Sequence, residues 1–145
     1  MKKLLLLRKI AGRIAGILIK RAGQASLSVK KDPVDMETVV KMKKWTMEKG
    51  WIDDCTMQEV AGRLGIRQEQ LSLFFRNHVG KSFLQWRKEM RIEEAKRIML
   101  EDDSLSVMLV GESVGIADRS NFRRQFKEIT GKTPSQWRLE HQIHI

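Results

Sequence analysis

From Thr56 onward, apolar positions recur at helical spacing in short runs that are separated by glycine. Val60, Ala61 and Leu64 share one face of a helix, and Thr56 with Glu59 three positions later forms a capping box that opens it. Gly65 follows where the chain must turn sharply with a positive φ. A second helix then buries Leu71, Phe74 and Phe75. Further on, Phe83, Trp86, Met90, Ala95, Ile98 and Met99 predict one helix over residues 83–101, about 28 Å long at ~1.5 Å per residue. Ser82 and Thr133 are suited to cap the helices that follow them, and Pro134 falls where proline fits the first helical position.

The pattern repeats. Phe75-Arg-Asn-His-Val-Gly80-Lys81-Ser82-Phe-Leu-Gln85-Trp86-Arg87 aligns with Phe126-Lys-Glu-Ile-Thr-Gly131-Lys132-Thr133-Pro-Ser-Gln136-Trp137-Arg138 at an offset of 51 residues. Upstream, Val60-Ala61-x-x-Leu64-Gly65-Ile66 aligns with Val110-Gly111-x-x-Val114-Gly115-Ile116 at an offset of 50. The one-residue difference falls between the blocks, where a turn absorbs it. A small residue, a glycine four later and an apolar side chain beyond it give the helix-turn-helix spacing, with Ala61 permitting a close helix crossing. In the second copy Gly111, Gly115 and Phe122 take these places. Two copies in register predict an all-α fold of two helix-turn-helix subdomains joined by a long connecting helix. That connector has the scale of the ~34 Å between successive major-groove segments on one DNA face.

The amino-terminal stretch is different in kind. Leu7, Ile10, Ala11, Ile14, Ile17 and Leu18 recur at helical spacing, with Lys9, Arg13 and Lys20 opposite them. Such a basic amphipathic segment can lie on an anionic membrane surface or serve as an arm beside nucleic acid; a plain linker is the blander reading. It is a poor signal peptide, because Arg8 and Lys9 cut the apolar run to four leucines. Gly23-Gln-Ala-Ser-Leu-Ser and Asp32-Pro33 mark the boundary, giving a tail over residues 1–31 and a domain over residues 32–145.

Charge sharpens this division. The 145 residues carry a formal net charge of +10. Residues 1–31 hold nine Lys/Arg and no acidic residue, whereas residues 32–145 set the other 19 Lys/Arg against all 18 Asp/Glu. The excess sits in the tail, and the domain is nearly neutral as a whole. Hydrophobic residues make up 41% of the chain, enough for a modest core, without an apolar run of eighteen that would span a membrane. Cys55 stands alone, so neither a disulfide nor a cysteine zinc cluster is available, which suits a reducing, cytoplasmic setting. Gly80-Lys81-Ser82 and Gly131-Lys132-Thr133 resemble the end of a P-loop, but Phe75 and Phe126 occupy the place of its earlier glycine. His141 and His144 have no further ligand set beside them. Nothing implies a cofactor or metal, and an enzyme is the least supported class.

Residues from about 40 to 139 resemble the DNA-binding domain of the AraC/XylS family of bacterial transcription regulators. The resemblance rests on Val60-Ala61-x-x-Leu64-Gly65-Ile66, Arg91-Ile92-x-x-Ala95-Lys96, Gly115-Ile116-x-Asp118-x-Ser120-x-Phe122-x-x-x-Phe126-Lys127 and Gly131-x-Thr133-Pro134-x-x-Trp137-Arg138. It implies the same double helix-turn-helix fold, sequence-specific promoter binding as in an activator, double-stranded DNA as partner and RNA polymerase as a protein contact. Arg67 replaces the family's usual serine cap, Gly111 its alanine, Leu109 an acidic capping residue and Ile116 a common phenylalanine. The second unit's first helix is therefore expected to be marginal. A separate ligand-sensing domain, frequent in the family, has no room in 145 residues.

With Phe122 and Phe126 inward, a rotation of about 100° per residue turns Ser120, Arg123, Arg124 and Lys127 outward, with Arg119 and Asn121 near the helix start. The resemblance points to the same helix as the DNA-contacting one. Arginine pairs with guanine O6 and N7, Asn121 with adenine, and Lys127 suits phosphate. The matching positions of the first unit are Glu69, Ser72, Leu73 and Arg76, where Glu69 can accept from cytosine N4 and Leu73 can touch a thymine methyl. This face sums to zero charge, and it is expected to bind DNA more weakly. The competing reading is a protein-interaction or membrane-surface adaptor built on the same scaffold.

Overall fold

The computed structural model describes residues 34–142, and these fall into two compact units that divide between Arg87 and Lys88. All regular structure among the described residues is helical. The predicted tail lies outside them, as does the boundary proposed for it.

In the first unit, helix α1 (Met36–Met47) starts at Asp35, whose carboxylate accepts the Thr38 N–H at 2.7 Å. Thr38, through its side chain and then its N–H, holds the Asp35 carboxyl below its ordinary pKa. The helix buries Met42 and Trp45, and a 3-10 turn (Gly50–Ile52) then brings Trp51 inside. The Trp51 indole donates to the Thr46 carbonyl at 3.1 Å, so its one polar atom is satisfied. The expected capping box opens α2 (Met57–Leu64): Thr56 Oγ1 accepts from the Glu59 N–H, and the Glu59 carboxylate accepts from the Thr56 N–H at 2.7 Å. Gly65 ends α2 at φ 63°, the left-handed region anticipated for it.

Helix α3 (Gln68–Phe74) runs into a π-helical turn (Phe75–Val79). Within that turn Val79, one turn beyond Phe75, is buried together with Leu71, Phe74 and Phe75, while His78 stacks on Phe74 with ring centroids 5.5 Å apart. No side chain caps the start of α3, because Arg67 replaces a capping hydroxyl. Helix α4 (Phe83–Glu101) has the predicted bounds, and the Ser82 hydroxyl accepts from the Gln85 N–H at its start. Trp86, fully buried, meets Phe75 edge to face at 5.3 Å and stacks on Trp45 at 6.0 Å.

In the second unit, the remainder of α4 packs with α5 (Val107–Ser113), α6 (Arg119–Thr130) and α7 (Pro134–Gln142). Its core contains Ile92, Ala95, Met99, Val110, Val114, Ile116, Phe122, Phe126 and Trp137. Ile92 is more deeply buried than Ile98, which packs only at the edge of the core. Although marginal in propensity, α5 forms, because Ser106 accepts from the Leu109 N–H at 3.2 Å and supplies the cap. Thr133 and Gln136 cap α7 reciprocally, each accepting the other's N–H. Trp137 meets Phe126 at 6.0 Å, the counterpart of the Trp86–Phe75 contact.

Candidate nucleic-acid interface

Helix α6 is amphipathic because Phe122 and Phe126, one turn apart, are both buried and in edge-to-face contact at 5.8 Å. Asp118 sets where the helix begins, its carboxylate accepting the Asn121 N–H at 2.6 Å. Arg119, Ser120, Arg123, Arg124 and Lys127 are all exposed, as the inward phenylalanines require, and Asn121 is half-buried. Asn121 has partners within its own helix. Its Oδ1 already accepts from Arg124 Nη2 at 2.7 Å and from Gln125 Nε2 at 3.0 Å. A paired adenine contact would have to draw on that same oxygen.

The corresponding face of α3 is an open groove lined by Gln68, Glu69, Ser72, Leu73 and Arg76. Four of these are the predicted positions. Gln68 is the addition, and it lies on the same i, i+4 row as Ser72 and Arg76, a signal already present in the helical period. Glu69 and Arg76 are exposed, while Ser72 and Leu73 are half-buried. The Ser72 hydroxyl donates to the Met57 sulfur at 3.4 Å, which joins α3 to α2. Lys88 is a second residue that the sequence pattern does not single out. Its Nζ reaches Glu128 at 3.1 Å, bringing α4 to the base of the α6 face, a contact invisible at forty residues of separation.

The remaining candidates resolve into packing. His141 stacks on Trp137 with ring centroids 3.8 Å apart and its Nδ1 2.7 Å from the Trp137 carbonyl; His144 lies outside the described residues. Among the described residues, no group of three or more His, Cys, Asp or Glu is placed to hold a metal ion, and no helix is long and apolar enough to cross a membrane. Gly80 and Gly131 both close helices in the left-handed region, so the Gly-Lys-Ser/Thr segments are turns followed by caps.

Two helix-turn-helix units with an exposed arginine-rich second helix define the class of a DNA-binding-type helical domain. The family described as "Helix-turn-helix domain" matches residues 60–140. The chain belongs to the AraC/XylS family. It is 38% identical over 79 residues to the arabinose operon regulatory protein of Escherichia coli (strain K12), covering 54% of this chain and 27% of that protein. It is 34% identical over 88 residues to the transcriptional activator NphR of a Rhodococcus species, covering 61% of this chain and 26% of that one. The chain thus spans about a quarter of the length of these relatives. The fold is similar to the C-terminal domain of AraT, a response regulator from Geobacillus stearothermophilus, with a TM-score of 0.64 and 24% identity over 75% of this chain and 88% of that one.

Proposed function

We propose that this protein is a sequence-specific, DNA-binding transcription regulator that places α3 and α6 in successive major grooves of promoter DNA. The observation that carries the proposal is the outward face of α6, where Arg119, Arg123, Arg124 and Lys127 are exposed and none pairs with a carboxylate among the described residues. Such cations gain most from a polyanion, and arginine's planar fork suits the paired acceptors of guanine. Helix α6 is the stronger reader, because α3 offers one cation, Arg76, against one anion, Glu69. RNA polymerase is the expected protein contact at a promoter.

Selection of sites from a random double-stranded library, followed by footprinting, tests this. Two protected major-groove segments are expected. Arg123→Ala and Arg124→Ala should each weaken discrimination by ~1–3 kcal/mol, more than Glu69→Ala or Leu73→Ala, and Lys127→Ala should weaken all sites alike. Protection confined to the segment facing α3 would reverse the assignment of the readers. Binding without any sequence preference would favour the adaptor reading.

A further inference from the structure

Arg124 occupies the centre of the α6 face. Relative to the buried pair Phe122 and Phe126, its side chain leaves the helix roughly 180° away. Glu128 follows four residues later, within ordinary ion-pair reach along a helix. A carboxylate there would neutralise the arginine and compete with any base for its donors. The structure shows a different pairing. Lys88 Nζ takes the Glu128 carboxylate at 3.1 Å, and the Arg124 guanidinium donates to the neutral Oδ1 of Asn121 at 2.7 Å. Asn121 is itself fixed, with its N–H on Asp118 and its Oδ1 shared with Gln125 Nε2 at 3.0 Å. Arg124 is therefore oriented without being neutralised. A guanidinium has five N–H donors, so the bond to Asn121 leaves enough for a paired contact.

We infer that Arg124 is a specificity-determining side chain of α6, that guanine in the major groove is its ligand, and that Asn121 and Lys88 are its positioning residues. Asn121 aims the guanidinium, and Lys88 withdraws Glu128 from it. Holding the fork in advance reduces the rotamer freedom lost on binding, which favours the one base that offers two acceptors. This inference rests on the DNA-reading function proposed above and assigns the residues that set its specificity.

The test uses the full chain and the site that wild type recovers from a random double-stranded library, with every single-base change of that site. Arg124→Ala should erase the preference for one guanine, a loss of roughly ten- to hundredfold. Lys88→Met should reduce preference for that same guanine by roughly three- to tenfold, because the freed Glu128 turns to Arg124. Adding Glu128→Gln to Lys88→Met should restore it, and Lys88→Met should add nothing in an Arg124→Ala background. Asn121→Ala should weaken the same guanine and leave preferences for adenine unchanged. Circular dichroism checks that each variant folds. A uniform loss at all base positions in Lys88→Met, not restored by Glu128→Gln, would make Lys88 an ordinary phosphate contact and overturn the inference. A change at an adenine in Asn121→Ala would overturn it as well. Failure of wild type to recover any shared sequence is a separate result, and it removes the DNA-reading function itself.

Discussion

A methyl group on Gly111 would stand 3.0 Å from the ring carbons of Phe122, tighter than nearly all side-chain contacts. The same methyl would lie 2.9 Å from the main-chain oxygen of Ile116. The crossing of α5 and α6 is therefore tight enough to require glycine. Helix propensity alone argues the reverse, since alanine at this position gains ~1 kcal/mol. Overpacking of a filled core costs ~1–3 kcal/mol, and a backbone oxygen cannot rotate out of the way. Gly111→Ala should therefore lower stability, despite improving the intrinsic helicity of α5. Denaturant melts decide the matter, and a variant more stable than wild type would show that the crossing relaxes easily.

Trp86 and Trp137 occupy matched places in the repeat, and each joins the second helix of its unit to the next one. Trp86→Ala should cost ~3–5 kcal/mol, and Trp137→Ala a similar amount. Trp86 is fully buried whereas Trp137 is 8% exposed, so Trp86 should be the more costly of the two. Melts of both variants close to wild type would remove the repeat as the basis of the architecture.

Acid should loosen the first unit through Glu59. Backbone and side-chain hydrogen bonds from Thr56 hold its carboxyl below the ordinary value of 4.5. A carboxyl with a depressed folded pKa contributes its stability fully above the unfolded value, and loses it as pH falls through the folded one. The melting-temperature advantage of wild type over Glu59→Gln should therefore be constant above about pH 5 and shrink below pH 4.5. An advantage that stays unchanged down to pH 2 would exclude the capping carboxylate as its source.

The tail calls for a prediction from sequence alone. Deleting residues 1–31 removes nine cations, and for every phosphate they neutralise the log–log salt slope of DNA binding should fall by ~0.9. If the tail is a DNA arm, the slope should flatten while base preference persists. If it is a membrane-surface helix, deletion should abolish binding to anionic vesicles and leave the slope unchanged. In both cases the shortened chain should keep specific recognition, because the arginines of α6 remain. A shortened chain that folds by circular dichroism but shows no preference at low salt would defeat this.

Local chemistry determined much of this protein. The repeat around Gly65/Gly115 and Trp86/Trp137, the capping pairs and the bounds of α4 were all legible, because each depends on residues within one or two turns. The outward direction of Arg123, Arg124 and Lys127 followed from the period of the helix and two phenylalanines. The sequence pattern assigned no element to the stretch that forms α1, where the bond from the Asp35 N–H to Gln70 Oε1 at 3.0 Å crosses thirty-five residues. The partners of the reading face were equally out of reach. The helical period did not show that Asn121 meets Arg124 and Gln125 or that Lys88 takes Glu128, and Gly111 looked like a weakness. Only the tertiary structure decided these, because each depends on which polar group or ring another element brings within about 3 Å, a distance that spacing along one helix does not specify.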